Sequence, residues 1–334
     1  MTPPNDFKAL VITESEDHQF QRTVARKTID DLPQGDVVVQ VMFSSLNYKD
    51  VLSATGNRGV TRNYPHTPGI DAAGLVAESA DERFQPGDEV IVTSYDLGMN
   101  TAGGFGQYIR VPAGWVVPLP RGLTLREAMI YGTAGFTAAL SAWQMIDSGI
   151  QPDDGDILVS GATGGVGSIA VSILSMSGYR VTAVNGVVDE TDYLRSIGAQ
   201  AIISIEEATD TSGRPMLKGR WAGAIDTVGG DILATTIKSM HFGAAVTCCG
   251  NVASPDLPLT VYPFILRGVR LIGIDSQNCA MPLRQKIWQK IASDWKIARL
   301  EKLTTEAPFD ELDHRIDLML QGKHKGRTII RMSD

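Results

Sequence analysis

The chain has 334 residues, a length that predicts two domains of ordinary size or one large domain. Its 38 acidic and 30 basic residues give a formal net charge of −8, which provides no overall footprint for nucleic acid. Apolar residues make up 43% of the chain and charged residues 20%, a composition that supports a packed core and argues against disorder.

Several classes of protein are excluded by simple patterns. No run of about 20 apolar residues predicts a membrane span, and the opening MTPPNDFKAL lacks the basic and apolar regions of a secretory signal. The cysteines Cys248, Cys249 and Cys279 suit neither a disulfide framework nor a zinc site. We therefore expect a cytoplasmic protein in a reducing compartment, without membrane or nucleic-acid partners.

The first 120 residues contain short apolar segments separated by turn signals such as Gln34-Gly35-Asp36 and Pro86-Gly87-Asp88. This pattern predicts an antiparallel, barrel-like β domain. The predicted strands are Ala9–Thr13, Val37–Phe43, Ala72–Ala77, Glu89–Ser94 and Tyr108–Val111.

The pattern changes near Leu123, where Thr124 and Glu127 form a predicted capping box. A long helix follows, with predicted interruptions at Gly132 and Gly135. Strands then alternate with helices, which implies right-handed βαβ units and a parallel sheet. The predicted strands of this sheet are Ile157–Ser160, Arg180–Val184, Ala201–Ile205, Ala222–Asp226, Ala244–Cys248 and Arg270–Ile274, with helices Val166–Met176 and Glu190–Ile197 between the first three.

Beyond Asp275 we predict helices near Leu283–Ala298 and Phe309–Gln321, and a closing strand at Arg327–Met332. Only short linkers join these parts. The α/β block is therefore predicted to be inserted into a domain built from both ends of the chain.

Glycine is in excess, at 34 residues, about one in ten against an average of about 7%. Four of these glycines lie in the turn Gly161–Gly167, which directly follows an apolar strand and opens a helix. Bare backbone lets a pyrophosphate approach, and a helix N-terminus presents N–H groups to it. The turn therefore predicts dinucleotide binding, with Thr163, Gly164, Gly165 and Val166 as contacts, rather than a merely structural tight turn.

The end of the second strand of this unit bears on the choice of cofactor. Folds that bind NAD usually carry Asp or Glu there for the ribose 2′-hydroxyl, but this chain has Asn185-Gly186. Without a carboxylate a 2′-phosphate is not repelled, so we predict NADPH as the cofactor. Tyr193, Arg195 or Arg327 is the predicted contact for that phosphate; the alternative is that Asn185 only shapes the turn.

An ordered series of blocks along the chain resembles the zinc-independent medium-chain dehydrogenase/reductase superfamily, in its quinone-oxidoreductase-like branch. Within that branch the chain is most similar to the NADPH-dependent acryloyl-CoA reductases. The blocks that carry the resemblance are Ser44–Asp50, Pro68–Gly74, Gly132–Thr137, Gly161–Gly167, Trp221–Gly229, Pro263–Arg267 and Val269–Ser276.

The resemblance implies a fold of class α/β plus β: a GroES-like β-barrel domain with an inserted Rossmann domain, a doubly wound parallel sheet. It places the GroES-like catalytic domain at residues 1–125 and 276–334 and the NADP-binding domain at 126–275. Zinc-dependent relatives carry a cysteine near position 47 and a histidine–glutamate pair near position 70. This chain has Asn47 and Ile70-Asp71 there, and its five histidines are scattered singly, so we predict no metal.

The resemblance also implies the reaction, which is reduction of the C=C bond of acryloyl-CoA or another short 2-enoyl-CoA. Hydride adds to the β-carbon and a proton arrives at the α-carbon. Tyr48 is expected beside the nicotinamide and ribose, where it donates the proton, directly or through water, or only shapes the pocket. Asn47 positions Tyr48 or takes part in catalysis, and Asp50 is expected to be structural, as is Asp71.

Further residues follow from the same resemblance. Thr133, Ile274 and Asp275 match segments that run along the cofactor, and Gly250 lies at a strand end where dinucleotides bind. Two departures from the close relatives are Val187, where they tend to have arginine, and Ala102, where they tend to have tryptophan.

Coenzyme A is a multiply charged anion, so an acidic enzyme must offer it a local basic surface. The candidates for this surface are Lys49, Arg58 and Arg62. A charged cluster that only solvates the protein is the alternative.

Two other functions stay open at this point. One is a quinone or enone oxidoreductase of the same superfamily, and the other is a non-catalytic NADPH-binding protein with a structural or regulatory role. The resemblance further implies a homodimer formed through the nucleotide domain. The apolar segment Leu257–Leu266 is predicted to be that interface, part of the core, or a wall of the nicotinamide site.

Overall fold

The computed structural model describes residues 6–186 and 190–332. The chain forms two compact units. The first comprises Met1–Thr133, Gln277–Ala292 and Leu303–Asp334, and the second Ala134–Ser276 and Ser293–Lys302. The predicted domain bounds, at 125/126 and 275/276, stay a prediction. No helix among the described residues has both the length and the apolar character needed to span a membrane.

The described residues form fifteen strands and eight α-helices. The strands are β1 (Phe7–Glu14), β2 (Phe20–Lys27), β3 (Val37–Leu46), β4 (Asp71–Ser79), β5 (Glu89–Thr93), β6 (Tyr108–Val111), β7 (Val116–Pro118), β8 (Asp156–Val159), β9 (Val181–Asn185), β10 (Ala201–Ser204), β11 (Trp221–Asp226), β12 (Met240–Cys248), β13 (Arg270–Gly273), β14 (Thr304–Pro308) and β15 (Arg327–Arg331). The helices are α1 (Tyr48–Ala54), α2 (Leu125–Asp147), α3 (Gly165–Met176), α4 (Thr191–Ser196), α5 (Gly230–Lys238), α6 (Tyr262–Arg267), α7 (Met281–Ala292) and α8 (Leu312–Leu320).

The first unit is built on a seven-stranded sheet of order β14-β15-β3-β4-β5-β7, with β6 also paired to β3. All its pairs are antiparallel except β14 with β15. Side chains alternate between the faces of a strand, so Val37, Val39 and Val41 of β3 enter the main core while Val38 packs in a smaller cluster with Phe7. Both faces of β3 are therefore buried.

The second unit is a six-stranded sheet of order β10-β9-β8-β11-β12-β13, in which every pair is parallel. The order runs outward in both directions from β8 and β11, which makes the sheet doubly wound. Strands of such sheets are buried on both faces and therefore read as continuous apolar runs; Ile157, Leu158 and Val159 of β8 are examples, each at most 2% exposed. The predicted combination of a β domain with a doubly wound parallel sheet is confirmed.

The predicted capping box is also confirmed, since Thr124 N donates to Glu127 Oε2 at 2.9 Å and Glu127 N donates to Thr124 Oγ1 at 3.1 Å. The helix that follows is broken only at Gly132, whose φ of 51° and ψ of −156° are not helical, whereas Gly135 stays within the helix. Helix α7 ends at Ala292, earlier than predicted. Elements that the sequence analysis missed are β2, β7, β14, α1, α5 and α6, all nine residues or shorter.

Candidate functional site

The glycine-rich turn lies between β8 and α3 in the second unit. Thr163 and Gly164 belong to the turn, with Gly164 as the N-cap, and Gly165 and Val166 begin the helix. Gly161 has φ +58°, which favours glycine. A Cβ on Gly167 would lie 2.2 Å from the Gly161 carbonyl oxygen, so the start of the helix packs directly on the end of the strand. This is the close backbone approach that a dinucleotide cradle needs, and the residues present fit that group.

The neighbouring strand end is tied to this turn by a buried carboxylate. Asp226, at the end of β11, accepts hydrogen bonds from Ser160 Oγ and Gly229 N, each at 2.8 Å. Thr227 N donates to Ser160 Oγ at 2.9 Å, and Thr227 Oγ1 donates to the Ser160 carbonyl at 2.9 Å. Burial raises the pKa of Asp226. The ends of β8 and β11 are thus linked where the strand order reverses, the position at which doubly wound sheets bind ligands.

A cavity of about 290 Å³ opens at the ends of β9 and β10. Asn185 and Gly186 line it, as the prediction of a cofactor contact there requires, and Glu206 adds a carboxylate. Val187 lies outside the described residues. The remaining lining residues are Thr191, Ile202, Ile203, Ser204 and Ile205.

The other predicted cofactor residues of the second unit are distributed around the same sheet. Tyr193 lies on α4, with its hydroxyl directed at Ser168, and burial raises the pKa of that hydroxyl. A Cβ on Gly250 would lie 2.0 Å from the Thr227 carbonyl oxygen, which places Gly250 against the turn after β11. Ile274 N donates to the Cys248 carbonyl at 3.0 Å, and Asp275 follows as an exposed residue.

In the first unit, Tyr48 is the first residue of α1, and 51% of its surface is exposed. Asn47 precedes it as the N-cap and is only 8% exposed. The Asn47 backbone N–H donates to Asp50 Oδ2 at 2.8 Å, which closes the first turn of the helix. The exposed Tyr48 side chain therefore directly follows a residue, Asn47, that is buried and hydrogen-bonded.

The fully buried Asp71 carboxylate, at the start of β4, joins several segments of the first unit. Its oxygens accept hydrogen bonds from Ser45 Oγ at 2.6 Å, from Asn47 Nδ2 at 2.8 Å, and from both N and Oγ1 of Thr133 at 2.9 and 2.6 Å. We call Asp71 and these three partners the Asp71 network. Ser94 Oγ lies 2.8 Å from Thr133 Oγ1 and extends the network.

Two further buried charges border the Asp71 network. Burial raises the pKa of Asp50 to about 7, the charge of Asp71 adds to the shift, and the N–H groups of Asn47 and Ile70 oppose it. The Arg327 guanidinium donates to the Ile130 carbonyl at 2.9 Å and to Asn47 Oδ1 at 3.1 Å, and its Nη2 lies 3.8 Å from Asp71 Oδ2. Burial lowers the pKa of Arg327, against the opposing effect of the two carboxylates.

These contacts correct one prediction. Arg327 is 2% exposed and lies in the interior of the first unit, where its guanidinium binds backbone carbonyls and Asn47. A 2′-phosphate of a bound cofactor needs an accessible donor, so we no longer assign Arg327 to it. Its guanidinium lies instead beside Asp71, with Nη2 3.8 Å from Oδ2.

The three cationic residues proposed to bind coenzyme A differ in the hydrogen bonds and ion pairs that they make within the first unit. Lys49 Nζ donates to Gln277 Oε1 at 2.7 Å. Arg58 forms an ion pair with Glu14, lies over the Tyr64 ring at 5.2 Å and donates to the Arg62 carbonyl at 2.6 Å. The pKa of Glu14 is lowered, first by its hydrogen bond to His18 and then by that to Arg58. Because Glu14 already neutralises Arg58, Arg62 is the better candidate of the two arginines.

The residues that replace the zinc ligands of related enzymes are hydrogen-bonded to each other. Asn47 donates to Asp71, and the adjacent Arg327 charge opposes a divalent cation. Among residues 6–186 and 190–332, no group of three or more His, Cys, Asp or Glu side chains is arranged to hold a metal. That the protein holds no metal stays a prediction.

Sequence reasoning missed that Asp71 links Asn47 to Thr133, and it assigned Ser94 to a strand end without a role in the site. The available signal was a charged residue in an otherwise apolar block, as with Asp71 in PGIDAAG and Arg327 before TII. Of the departures from relatives, Ala102 is half-buried against the smaller cluster that contains Phe7 and Tyr108.

Two family models match the chain. The model described as "Alcohol dehydrogenase GroES-like domain" covers residues 33–121, and that described as "Zinc-binding dehydrogenase" covers 165–295. These matches confirm the GroES-like part of the predicted fold class.

Three similar proteins cover nearly the whole chain. The "Putative quinone oxidoreductase YhfP" of Bacillus subtilis is 44% identical over 98% of this chain and 99% of its own, and its crystal structure with NAD bound has a TM-score of 0.95, covering 98% of this chain and 100% of that one. The "Acrylyl-CoA reductase AcuI" of Ruegeria pomeroyi is 43% identical over 97% of this chain and 98% of its own. The yhdH oxidoreductase from Salmonella enterica in complex with NADP is 41% identical with a TM-score of 0.95, covering 98% of this chain and 100% of that one.

Proposed function

The chain belongs to the medium-chain dehydrogenase/reductase superfamily, and from that membership we propose that it is an NADPH-dependent oxidoreductase that reduces the C=C bond of acryloyl-CoA or another short 2-enoyl-CoA. The observation that carries the choice of substrate is the 43% identity to an acrylyl-CoA reductase over 97% of the chain. The hydrogen-bonded pair Asn47 and Asp71, at the positions of the zinc ligands, supports a reaction that needs less carbonyl activation than aldehyde reduction.

The cofactor is held by the glycine-rich turn of the second unit. Bare backbone at Gly161 and Gly164 and the N–H groups of the first turn of α3 would bind the pyrophosphate. Asn185 and Gly186 would contact the adenosine ribose from the cavity at the end of β9. When bound, NADPH supplies a hydride for the β-carbon of the alkene.

The chain's own residues stabilise the negative charge that develops on the substrate and supply the proton. As hydride arrives, negative charge develops on the thioester oxygen, where N–H and O–H donors stabilise it. The exposed hydroxyl of Tyr48 is the proton donor for the α-carbon, directly or through a water molecule. Asn47 fixes the start of α1 and thereby the position of Tyr48, while Lys49 and Arg62 offer positive charge to the coenzyme A phosphates.

The test is an NADPH-oxidation assay with acryloyl-CoA, crotonyl-CoA, acrolein and a quinone in parallel, repeated with NADH. We expect turnover of the two thioesters and a preference for NADPH. A basic surface for coenzyme A further requires that affinity for the thioesters, but not for acrolein, falls steeply with salt. Activity with the quinone alone would reject the enoyl-CoA proposal.

A second candidate is a quinone oxidoreductase, because the Bacillus subtilis relative of that name is as similar as the acrylyl-CoA reductase. Its small electrophile would need no basic surface. The same assay, repeated with Lys49 and Arg62 replaced by alanine, separates the two functions. Only a quinone oxidoreductase is expected to keep the activity of the wild type after these replacements.

We also propose that the protein is a homodimer formed through the second unit. Strand β13 is the last strand of the parallel sheet, and large apolar side chains of β12 and α6 are exposed, including Phe242 at 81% and Ile265 at 67%. Exposed apolar patches of this kind mark interfaces. Light scattering should give twice the 36.0 kDa chain mass, and the double variant Phe242→Asp/Ile265→Asp should give a monomer; a monomeric wild type would refute the dimer.

A further inference from the structure

The Asp71 network connects the residue before Tyr48 to Thr133, although the two are far apart in the chain. We propose that Asp71 is a positioning residue for the reduction: its carboxylate fixes the Asn47–Tyr48 segment and at the same time sets the hydrogen-bonding direction of the Thr133 hydroxyl. This inference rests on the proposed function, in which Tyr48 donates the proton, and on the predicted contact of Thr133 with the cofactor. Asp71 itself is fully buried and acts only through these neighbours.

The carboxylate is held by donors on every side. Thr133 N lies 2.9 Å from both of its oxygens, Thr133 Oγ1 lies 2.6 Å from Oδ1, and Ser45 Oγ and Asn47 Nδ2 bind Oδ2. The chain passes so close at Gly132 that a Cβ there would lie 2.4 Å from Asp71 Oδ2. Charge-assisted hydrogen bonds from several directions leave the carboxylate a single orientation.

That orientation determines what the Thr133 hydroxyl can do. A hydroxyl has one hydrogen to donate, and because Asp71 only accepts, the hydrogen of Thr133 Oγ1 goes to Oδ1. Ser94 Oγ, 2.8 Å away, must then donate to Thr133. Ser94 is held at φ 65°, a backbone conformation that non-glycine residues rarely adopt and that often marks functional sites. Because this hydrogen is committed to Asp71, the Thr133 hydroxyl would meet the cofactor of the proposed function only as an acceptor.

The second branch of the network fixes Tyr48. The Asn47 side chain donates from Nδ2 to Asp71 and to the Ser45 carbonyl, at 2.8 and 3.2 Å, and accepts from Arg327 at its Oδ1. Its backbone N–H is used by Asp50. The residue before Tyr48 is thus held by side chain and backbone, while the tyrosine ring stays half exposed. Without Asp71, four donor groups of Ser45, Asn47 and Thr133 would lose their acceptor beside the Arg327 charge.

The experiment compares Asp71→Asn, Thr133→Val, Thr133→Ser and the double variant Asp71→Asn/Thr133→Val. Ser53→Ala is the control, because it removes another buried hydrogen bond of α1, between Ser53 Oγ and Thr61 Oγ1 at 2.7 Å, that lies outside the Asp71 network. For each variant, kcat and KM with acryloyl-CoA, the NADPH dissociation constant by fluorescence, and the melting temperature are measured.

We expect Asp71→Asn and Thr133→Val each to lower kcat by about 10- to 100-fold, the loss typical of misplaced reacting groups. Thr133→Ser, which keeps the hydroxyl, should stay within about threefold of the wild type, and Ser53→Ala within about twofold. The double variant should be no worse than Asp71→Asn, because residues that act through each other are not additive. If Asp71→Asn does not fold, the comparison of Thr133→Val with Thr133→Ser still decides.

Equal kcat values for Thr133→Val and Thr133→Ser, or additive losses in the double variant, would overturn the positioning role. Failure of the proposed function is seen separately, as a wild type that binds NADPH but reduces none of the four test compounds. In that case the NADPH dissociation constant still tests the network: Asp71→Asn and Thr133→Val should weaken binding by the same factor, and Ser53→Ala should not.

Discussion

The close packing of Gly167 on the end of β8 predicts how alanine at this position affects stability and NADPH binding. In Gly167→Ala the new Cβ would lie 2.2 Å from the Gly161 carbonyl oxygen and 2.8 Å from Ala162 Cα, whereas ordinary contact begins at 3.4 Å. Both neighbours are backbone atoms, so the turn must shift by about 1 Å. Overpacking of this kind costs about 1–3 kcal/mol in stability. If the turn holds the pyrophosphate, the NADPH dissociation constant should also rise, by about tenfold for each 1.4 kcal/mol of binding free energy lost.

Two other glycines separate steric cost from cofactor binding. Gly114→Ala meets nothing within 4 Å and should change neither property. In Gly164→Ala the new Cβ would lie 3.3 Å from the Gly161 oxygen, a small misfit, so the stability of this variant should be close to that of the wild type. Its affinity for NADPH should nevertheless be lower than that of the wild type. Urea unfolding and fluorescence titration with NADPH measure the two effects. A Gly167→Ala variant that binds NADPH within twofold of the wild type would refute the assignment of this turn to the cofactor.

Three further results are expected. Tyr48→Phe should lower turnover by about 10²- to 10⁴-fold if the hydroxyl is the proton donor, with unchanged NADPH affinity, and normal turnover would remove Tyr48 from the proton path. Glu206→Lys should tighten NADPH binding by about fivefold, because it replaces a negative charge that lines the cavity at the end of β9 with a positive one; an equal effect on NADH would contradict this. Burial lowers the pKa of His324 to about 4, and the Arg327 charge adds to the shift, so this group's contribution to stability is present above its ordinary pKa of about 6.5 and is lost as pH falls towards 4. Asp50 has the opposite effect on the pH dependence of stability, because its pKa is raised to about 7. The measurement is therefore the difference in unfolding free energy between the wild type and His324→Gln, obtained by urea unfolding from pH 4.5 to 6.5. A difference that does not change with pH would argue against this effect.

Much of the fold could be predicted because its signals are local. The strands β4, β5 and β6 lie between glycine and proline turns, and the apolar runs of β8 and β11 are typical of strands buried on both faces. The missed elements lack such signals. Helix α1 spans only seven residues, too few for a periodic pattern, and β2, with the sequence FQRTVARK, has no regular alternation of apolar and polar residues.

The Asp71 network could not be predicted for a different reason. Thr133 lies 62 residues from Asp71, and Arg327 lies 280 residues from Asn47. No local pattern shows that these side chains meet, since the pairing of β15 with β3 is what brings Arg327 to them. The sequence analysis treated Arg327 as the first residue of a closing strand and as one candidate contact for the 2′-phosphate, and it did not predict that the side chain is buried.

The late position of Arg327 has a consequence for the order in which the protein can assemble during synthesis. Both buried carboxylates, Asp50 and Asp71, leave the ribosome early, and their counter-charge arrives about 260 residues later, at a synthesis rate of about 5–20 residues per second. Until β15 pairs with β3, the segment Phe43–Leu46 of β3 lacks the strand that covers one of its edges, and β14 lacks its strand partner in the sheet. The parallel sheet of the second unit needs no residue from β15. A nascent chain therefore completes the sheet that carries the glycine-rich turn first, and neutralises the Asp71 network only with its last strand.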